Sequence, residues 1–363
     1  MEWFGYVGRV LRVDLSGERA RVEELSEEDV ELFIGGSGLA AAIIYREVDP
    51  KVDPLSEANK VVCMTGPLTG TMVPGGNRTT IAAKSPLTGA WGEGHLGGFW
   101  GPELKFAGYD GVIVEGRASS PVYILIRDDE VEVRDAERLW GLTTSSTERA
   151  IRRECGDEGV RVLSIGPAGE RLVRYAVVVS DERVAGRTGM GAVFGSKNLK
   201  AIAVRGTGKV RVKEYERLRA LIRRLYPAIM SNPTSQVRAL YGTNGEMEVF
   251  HEYGDVPIRN FTLGEWLGVS RISGQAIVSR MLRRHRTCFS CPIHCWKEVK
   301  IKEGPHAGTV TRAPEYETAA SLGALLMIDD PNYLATAEYL CNEYGIDVIS
   351  AGVTIAWATE AFE

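Results

Sequence analysis

The stretch LKAIAVRGTGKVRVKEYERLRALIRRLYPAIM, residues 199–230, changes its period part-way along. LKAIAVRG is a short apolar run closed by glycine, the pattern of a strand, whereas KEYERLRALIRRLYPAIM repeats its apolar residues every three or four positions, the pattern of a helix. The change near residue 210 divides the whole chain. Upstream, RVLRVDLS, NKVVCMTG, TTIAAK, GVIVEG, RVLSIG and RYAVVVSD read as further strands, and VYILIRDDEVEVRDA reads as one hairpin turning at Asp129 and Glu130. Helices are expected over 27–34, with Ser26 as the cap, over 39–47 and through TSSTERAIRREC. Downstream, SGQAIVSRMLRRH, APEYETAASLGALLMI, PNYLATAEYLCNEYG and DVISAGVTIAWATEAFE all carry helical spacing. Strands followed by helices predict an α+β fold, with a β-rich domain over 1–208 and an α-helical domain over 209–363.

Composition narrows the function. The 363 residues are 44% hydrophobic and 25% charged, enough for two domains with separate cores. A formal charge of −5, with no basic run, argues against nucleic acid as a partner. The N-terminal MEWFGYVGRVLRVDLSG lacks the basic-then-apolar layout of a signal peptide, and no apolar run reaches the ~18 residues of a membrane span. A cytoplasmic protein with no membrane partner is expected. Six cysteines are too sparse for a disulfide scaffold, so a tight cysteine cluster reads as a metal site.

The glycines bunch in the β-rich part, with seven in WGEGHLGGFWGPELKFAGYDG, 91–111, and four in AGRTGMGAVFG, 185–195. Glycine permits positive φ and lets a ligand approach the main chain, although for any one glycine a tight turn is the simpler reading. Two dense loops rimmed by Arg78, Arg183 and Arg187 point instead to an anionic ligand, because each guanidinium offers a planar fork of donors for phosphate. A dinucleotide fold does not fit. GGSGLAA, 35–41, follows an expected helix rather than a strand, and GMGAVFGSKNLKAIAV leads into a strand where such a motif would open a helix.

The sharpest motif is RTCFSCPIHCWKE, 286–298, which places Cys288, Cys291 and Cys295 around a chain-bending Pro292. Thiolates suit iron–sulfur clusters and zinc alike. Structural zinc usually takes two separated ligand pairs, so the spacing leans to iron–sulfur, while zinc with His294, His285 or Cys341 as fourth ligand stays open. Cys63, Cys155 and Cys341 lie in apolar surroundings and read as core. The last element, VISAGVTIAWATEAFE, is an apolar helix with nothing after it to cover it, which suggests a truncated chain.

Seven segments occur in a fixed order: GPLTGTMVPGGNRTTIAAKSPLTG, GGFWGPELKFAGYDGVIVEG, SIGPAGERLVRYAVVVSD, RVAGRTGMGAVFGSKNLKAIAV, the cysteine motif, APEYE and NEYGIDVISAG. Together they closely resemble the aldehyde:ferredoxin oxidoreductase family of tungsten enzymes, over nearly the whole chain.

The resemblance implies a β-rich base of two mixed sheets with a few helices, covered by helical domains. It implies tungsten, or in some members molybdenum, between two pyranopterin dithiolenes whose phosphates share a magnesium ion. A 4Fe-4S cluster beside one pterin would pass electrons to ferredoxin as a small aldehyde becomes a carboxylic acid. By the same resemblance Arg78 bridges pterin and cluster, and His95 and Gly97 contact pterin, with His95 standing where the best-known members have asparagine. Arg183, Val184, Gly186 and Arg187 match the second pterin loop. Asn342, Ile346 and Asp347, in NEYGID, match the family's D-x-x-G-L-D, Asn342 replacing its first acid. Cys288, Cys291 and Cys295 match three cluster ligands, the fourth lying in a D-x-x-G-L-C motif beyond residue 363. Glu317 matches the acid beside the metal, a general base whose pKa burial would raise. The glutamate that bridges subunits through iron in some members corresponds to Thr336, so that iron is not carried over, and a homodimer stays open. The alternatives are a non-catalytic fragment or partner subunit binding a cluster or zinc, and a relative running the chemistry backward on an acyl thioester or aromatic acid.

Overall fold

Runs of Val, Ile and Ala build two six-stranded sheets in the first part of the chain, in a computed structural model that describes residues 2–363. In chain order the strands are β1 (Arg9–Asp14), β2 (Arg19–Glu24), β3 (Val61–Thr65), β4 (Thr79–Lys84), β5 (Trp91–Leu96), β6 (Gly111–Glu115), β7 (Val122–Arg127), β8 (Glu130–Asp135), β9 (Arg161–Ile165), β10 (Val178–Ser180), β11 (Arg183–Ala185) and β12 (Leu199–Arg205). The first sheet runs β2-β1-β6-β3-β4-β5 and the second β11-β10-β9-β12-β7-β8. Each is mixed, with one parallel pair: β1 with β6, and β12 with β7. The expected two mixed sheets are therefore present.

Helices α1 (Glu27–Phe33), α2 (Ser37–Glu47), α3 (Trp100–Phe106), α4 (Thr144–Cys155), α5 (Pro167–Glu170) and α6 (Met190–Ser196) join the strands. The inner faces of both sheets share one core, in which Val13, Cys63 and Val114 meet Ile124, Ile165 and Val204 around Trp100 and Phe194. Outside it, α2 covers the first sheet through Leu39, Ala40 and Ile44, and α4 covers the second through Ile151. Trp100 is fully buried and its Nε1 donates to Ile202 O at 3.0 Å, pinning α3 to β12. Truncating such a side chain to alanine costs about 3–5 kcal/mol.

The chain divides into two units. One comprises the residues up to Arg219 with Cys288–Ser290 and Asn342–Ile346; the other comprises Ala220–Thr287, Cys291–Cys341 and Asp347–Glu363. Further on come α7 (Tyr215–Ser231), α8 (Pro233–Tyr241), α9 (Met247–Glu252), α10 (Val269–Ile272), α11 (Gly274–Met281), α12 (Tyr316–Thr318), α13 (Pro331–Tyr344) and α14 (Val348–Phe362). Met247, Ile258, Ile272, Leu322 and Leu334 form the main core of the second unit. A small sheet of β13 (Leu282–Arg286), β14 (Trp296–Lys300) and β15 (Val310–Arg312) sits in it as well. Among the described residues no helix is long and apolar enough to cross a membrane.

Several local expectations need correction. The glycine-dense 91–111 is not one loop, because 91–96 is β5 and 100–106 is α3. GMGAVFG does open a helix, α6, before the strand β12. LRRH is not the end of a helix but β13, whose residues pair with β14, so tertiary pairing overrides helical spacing. The β7–β8 hairpin turns one residue early, at Asp128 and Asp129, because Arg127 pairs with Glu130 and Asp128 accepts a φ of 49°. APEYETAASLGALLMI is not one helix either: α12 gives way to a π-helical segment over Ala319–Ala324. Cys63 and Cys341 are buried as expected, whereas Cys155 is partly exposed.

Candidate functional site

Register brings the first group together. Thr79 pairs with Leu96 and Thr80 with His95, so Arg78 and Gly97, the next residues outward, flank the end of the β4–β5 pair. A Cβ added at Gly97 would lie 3.2 Å from Arg78 Nη1 and 3.2 Å from Cys288 Sγ. Gly97 is thus a gap into which a guanidinium and a thiol both point. Cys288 is held there by its neighbour Phe289, whose N–H donates to Gly98 O at 3.2 Å and whose ring packs edge-on against Phe99 and Phe106. Phe289 O accepts from Asn77 Nδ2 at 3.3 Å, and Asn77 Oδ1 accepts from Gly70 N at 2.7 Å. The buried Asn77 therefore ties the GPLTGTMVPGGNR loop to the cysteine motif.

Bare backbone on β5 brings the second group close. A Cβ at Gly94 would stand 2.8 Å from Ala185 C and 3.0 Å from Gly186 O, and one at Gly98 would stand 3.3 Å from Arg183 Cγ. The loop after β11 carries Arg187, Thr188 and Gly189 at φ of 65°, 54° and 81°. Positive φ is unusual for any side chain and strained for a β-branched one. Two bonds fix the loop: Ser85 Oγ donates to Thr188 O at 2.7 Å, and Thr188 Oγ1 donates to Glu93 O at 3.2 Å. On the opposite face of β5, His95 places Nδ1 3.3 Å from Thr80 Oγ1 and Nε2 3.4 Å from Glu93 Oε1. Val184, mid-strand in β11, pairs with Val179.

The NEYGID segment docks beside β10. Val177 N–H donates to Gly345 O at 2.9 Å, Ile346 bridges to Ala176, and Thr144 Oγ1 donates to Asn342 O at 2.9 Å. Gly345, at φ 71°, would carry its Cβ within 2.8 Å of Gly166 N. Asp347 serves as the N-cap of α14, its Oδ2 accepting from Ser350 N at 2.9 Å and Ser350 Oγ at 2.6 Å.

In the second unit the main chain of the cysteine motif is held from several sides. Cys291 O accepts from Thr287 Oγ1 at 2.6 Å. His294 takes a φ of 54°, and its carbonyl accepts from the buried Lys297 Nζ at 2.5 Å. Lys297 also donates to Ala239 O at 2.7 Å and Arg238 O at 3.2 Å, in the last turn of α8. Burial pulls this ammonium down to about 8, and Cys295 pulls it back up. Cys295, Gly242, Lys297, Arg312 and Glu315 line a small cleft, and Tyr316 N–H donates to Thr243 Oγ1 at 3.2 Å on its wall. Glu317 follows directly and is exposed, so the burial expected for it is not found. The three thiols are half-buried and form no disulfide, and among the described residues no three His, Cys, Asp or Glu side chains group as a single-ion site.

The matches to known families follow this division of the chain. Residues 10–206 match the aldehyde ferredoxin oxidoreductase N-terminal domain, and residues 220–363 match domains 2 and 3 of the same protein. The chain belongs to the aldehyde ferredoxin oxidoreductase family. It is 43% identical over 362 residues to the tungsten-containing aldehyde ferredoxin oxidoreductase of Pyrococcus furiosus, covering 99% of this chain and 59% of that protein. It is 35% identical to the aliphatic sulfonate oxidoreductase WOR-like subunit of the same organism, again over 99% of this chain and 60% of the relative. Among solved structures, the active site complex BamBC of benzoyl coenzyme A reductase, with bound 1,5-dienoyl-CoA, aligns with a TM-score of 0.85 at 30% identity, over 98% of this chain and 56% of that one. The chain thus spans well under two thirds of the length of these relatives.

For a member of the aldehyde ferredoxin oxidoreductase family, Arg78, Gly97 and Cys288 form one group, with Arg183 and Gly186 beside the same strand. Asn77, Phe289 and Lys297 are the residues that sequence reading passed over. Asn77 directly precedes Arg78, Phe289 directly follows Cys288 and Lys297 stands two residues after Cys295, and this nearness to chemistry-bearing positions is the one signal that could have raised them.

Proposed function

We propose that the chain is the cofactor-base and cluster-bearing part of a tungsten, or molybdenum, bis-pyranopterin oxidoreductase that oxidises an aldehyde to a carboxylic acid and passes electrons through a 4Fe-4S cluster to ferredoxin. The observation that carries this reading is the gap at Gly97, where Arg78 and Cys288 approach one backbone position. A guanidinium beside a thiolate ligand offsets the charge of a reduced cluster and can hydrogen-bond a neighbouring anionic cofactor. In this reading Arg78 bridges pterin and cluster, His95 and the bare backbone at Gly97 contact pterin, and Arg183, Val184, Gly186 and Arg187 form the second pterin loop, the arginines facing the phosphates that share magnesium. Asn342, Ile346 and Asp347 contact pterin through the NEYGID segment, and Cys288, Cys291 and Cys295 ligate the cluster. When bound, the metal and cluster supply the two-electron and one-electron chemistry. Glu317 is the candidate to hold a proton, in a part of 209–363 where the described residues leave it open to solvent. Residues 1–208 serve as the pterin-binding part, and the protein acts in the cytoplasm.

A second reading, reduction of an aromatic acyl thioester, draws support from the structural likeness to benzoyl coenzyme A reductase. One set of measurements separates the two. Anaerobically prepared full-length protein should contain tungsten or molybdenum, release pterin on acid extraction, and reduce viologen with aldehydes. Absence of both metal and pterin overturns the proposal, leaving a non-catalytic cluster or zinc binder. Turnover of aromatic acyl thioesters without aldehyde oxidation favours the second reading.

A further inference from the structure

We propose that Lys297 is a positioning residue for the cluster end of the site, clamping the main chain at Cys295 and holding a positive charge beside that thiolate so as to raise the cluster's reduction potential. The inference rests on reading the cysteines as iron–sulfur ligands.

Lysine is rarely fully buried unless paired, and Lys297 is 2% exposed. Its three acceptors are the carbonyls of Arg238, Ala239 and His294. The first two belong to the last turn of α8, the end of a helix that favours a cation; Arg238 O accepts from Gly242 N–H at 2.9 Å as well as from the ammonium. The third is the carbonyl of the peptide bond leading into Cys295. One ammonium therefore ties the end of a helix to the backbone of a ligand cysteine. Gly242, at φ 77°, closes the arrangement: a Cβ there would lie 3.1 Å from Cys295 O and 3.7 Å from Lys297 Cγ.

The other buried lysines show what is distinctive. Lys105 pairs with Asp110 and Lys200 with Glu170, so their charges are cancelled by carboxylates. Lys197 makes the same kind of three-carbonyl clamp, to Glu57, Asn59 and Gly116, but next to no cysteine. Lys297 combines the carbonyl clamp with the adjacency, and among the described residues no carboxylate pairs with it. Carbonyls satisfy its donors without cancelling its charge. A cluster that gains an electron becomes more negative, so a nearby uncancelled cation favours the reduced state.

The test is a dye-mediated EPR titration of full-length, anaerobically prepared wild type, Lys297→Met and Lys197→Met, with iron content and Tm measured alongside. In K297M the reduced-to-oxidised ratio at a fixed potential should fall about tenfold, ~59 mV for one electron. K297R should recover most of the shift, and K197M should lower Tm without moving the potential. A wild-type potential in K297M overturns the inference, as does an equal shift in K197M. If K297M does not fold, K297Q, which keeps a donor for the carbonyls but not the charge, is read the same way. Wild type without iron overturns the iron–sulfur reading and this inference with it; iron present with an unmoved potential overturns this inference alone.

Discussion

Gly97 is glycine for space rather than for dihedral angle, since it is not among the positive-φ glycines. A methyl group there would lie 3.2 Å from both Arg78 Nη1 and Cys288 Sγ, closer than comfortable van der Waals contact, so one of the two must retreat. G97A should therefore retain several-fold less iron than wild type after gel filtration, while losing no more than the ~1–3 kcal/mol of an overpacked site. Gly264→Ala, whose Cβ would meet nothing within 4 Å, is the control and should retain iron normally. Equal iron in the two variants would dismiss the gap as a determinant. Arg78 and Cys288 stood out in the sequence by residue type and Gly97 by family resemblance, and the fold brings the three to one place. Asn77 and Phe289 did not stand out, because they act through main-chain bonds and ring packing that only the fold reveals.

Ion pairs join the elements on the outer side of the first sheet. Arg12 on β1 reaches Glu23 on β2 at 2.8 Å, Glu47 on α2 at 2.7 Å and Glu115 on β6 at 3.1 Å, while Lys60 reaches Glu47 at 2.6 Å. Burial alone would raise the Glu47 carboxyl, but hydrogen bonds from Arg12 and Lys60 bring it from 4.5 to about 2. A carboxyl held low in the folded state stabilises fully above its unfolded value and loses that contribution as pH falls. Between pH 4.5 and 2 the Tm advantage of wild type over Glu47→Gln should shrink toward zero, which a pH series of melting curves would show. A constant gap across that range would rule the network out as the source.

At the same scale the sequence revealed long periodic elements and missed those set by partners. The α1 cap at Ser26, which accepts from Asp29 N at 3.3 Å, was readable because it is local. β5 was not, since WGEGHL has glycines where strand propensity wants branched residues. β13 was not, since its arginines carry no alternation and only pairing with β14 makes it a strand.

At the scale of the molecule, two helices present apolar surface. α14 leaves Val353, Ile355, Trp357 and Phe362 exposed, Trp357 at 69%, and α7 buries none of its residues. Apolar patches of this kind bind partners or drive association. The 363-residue chain expressed as such should bind the dye ANS and self-associate with concentration, and I355E/W357E should weaken both effects in parallel. Unchanged dye binding in that double variant would place the sticky surface elsewhere.

The glycine face of β5 has one more consequence, for how the strand can drift over generations. Position 94 has no room for a side chain against the Ala185 backbone, and position 92 would crowd Ser85 Cβ at 2.7 Å. Trp91, Glu93 and His95 point the other way, with Trp91 and His95 exposed. Inherited change along β5 should then be tolerated at every second residue and refused at those between.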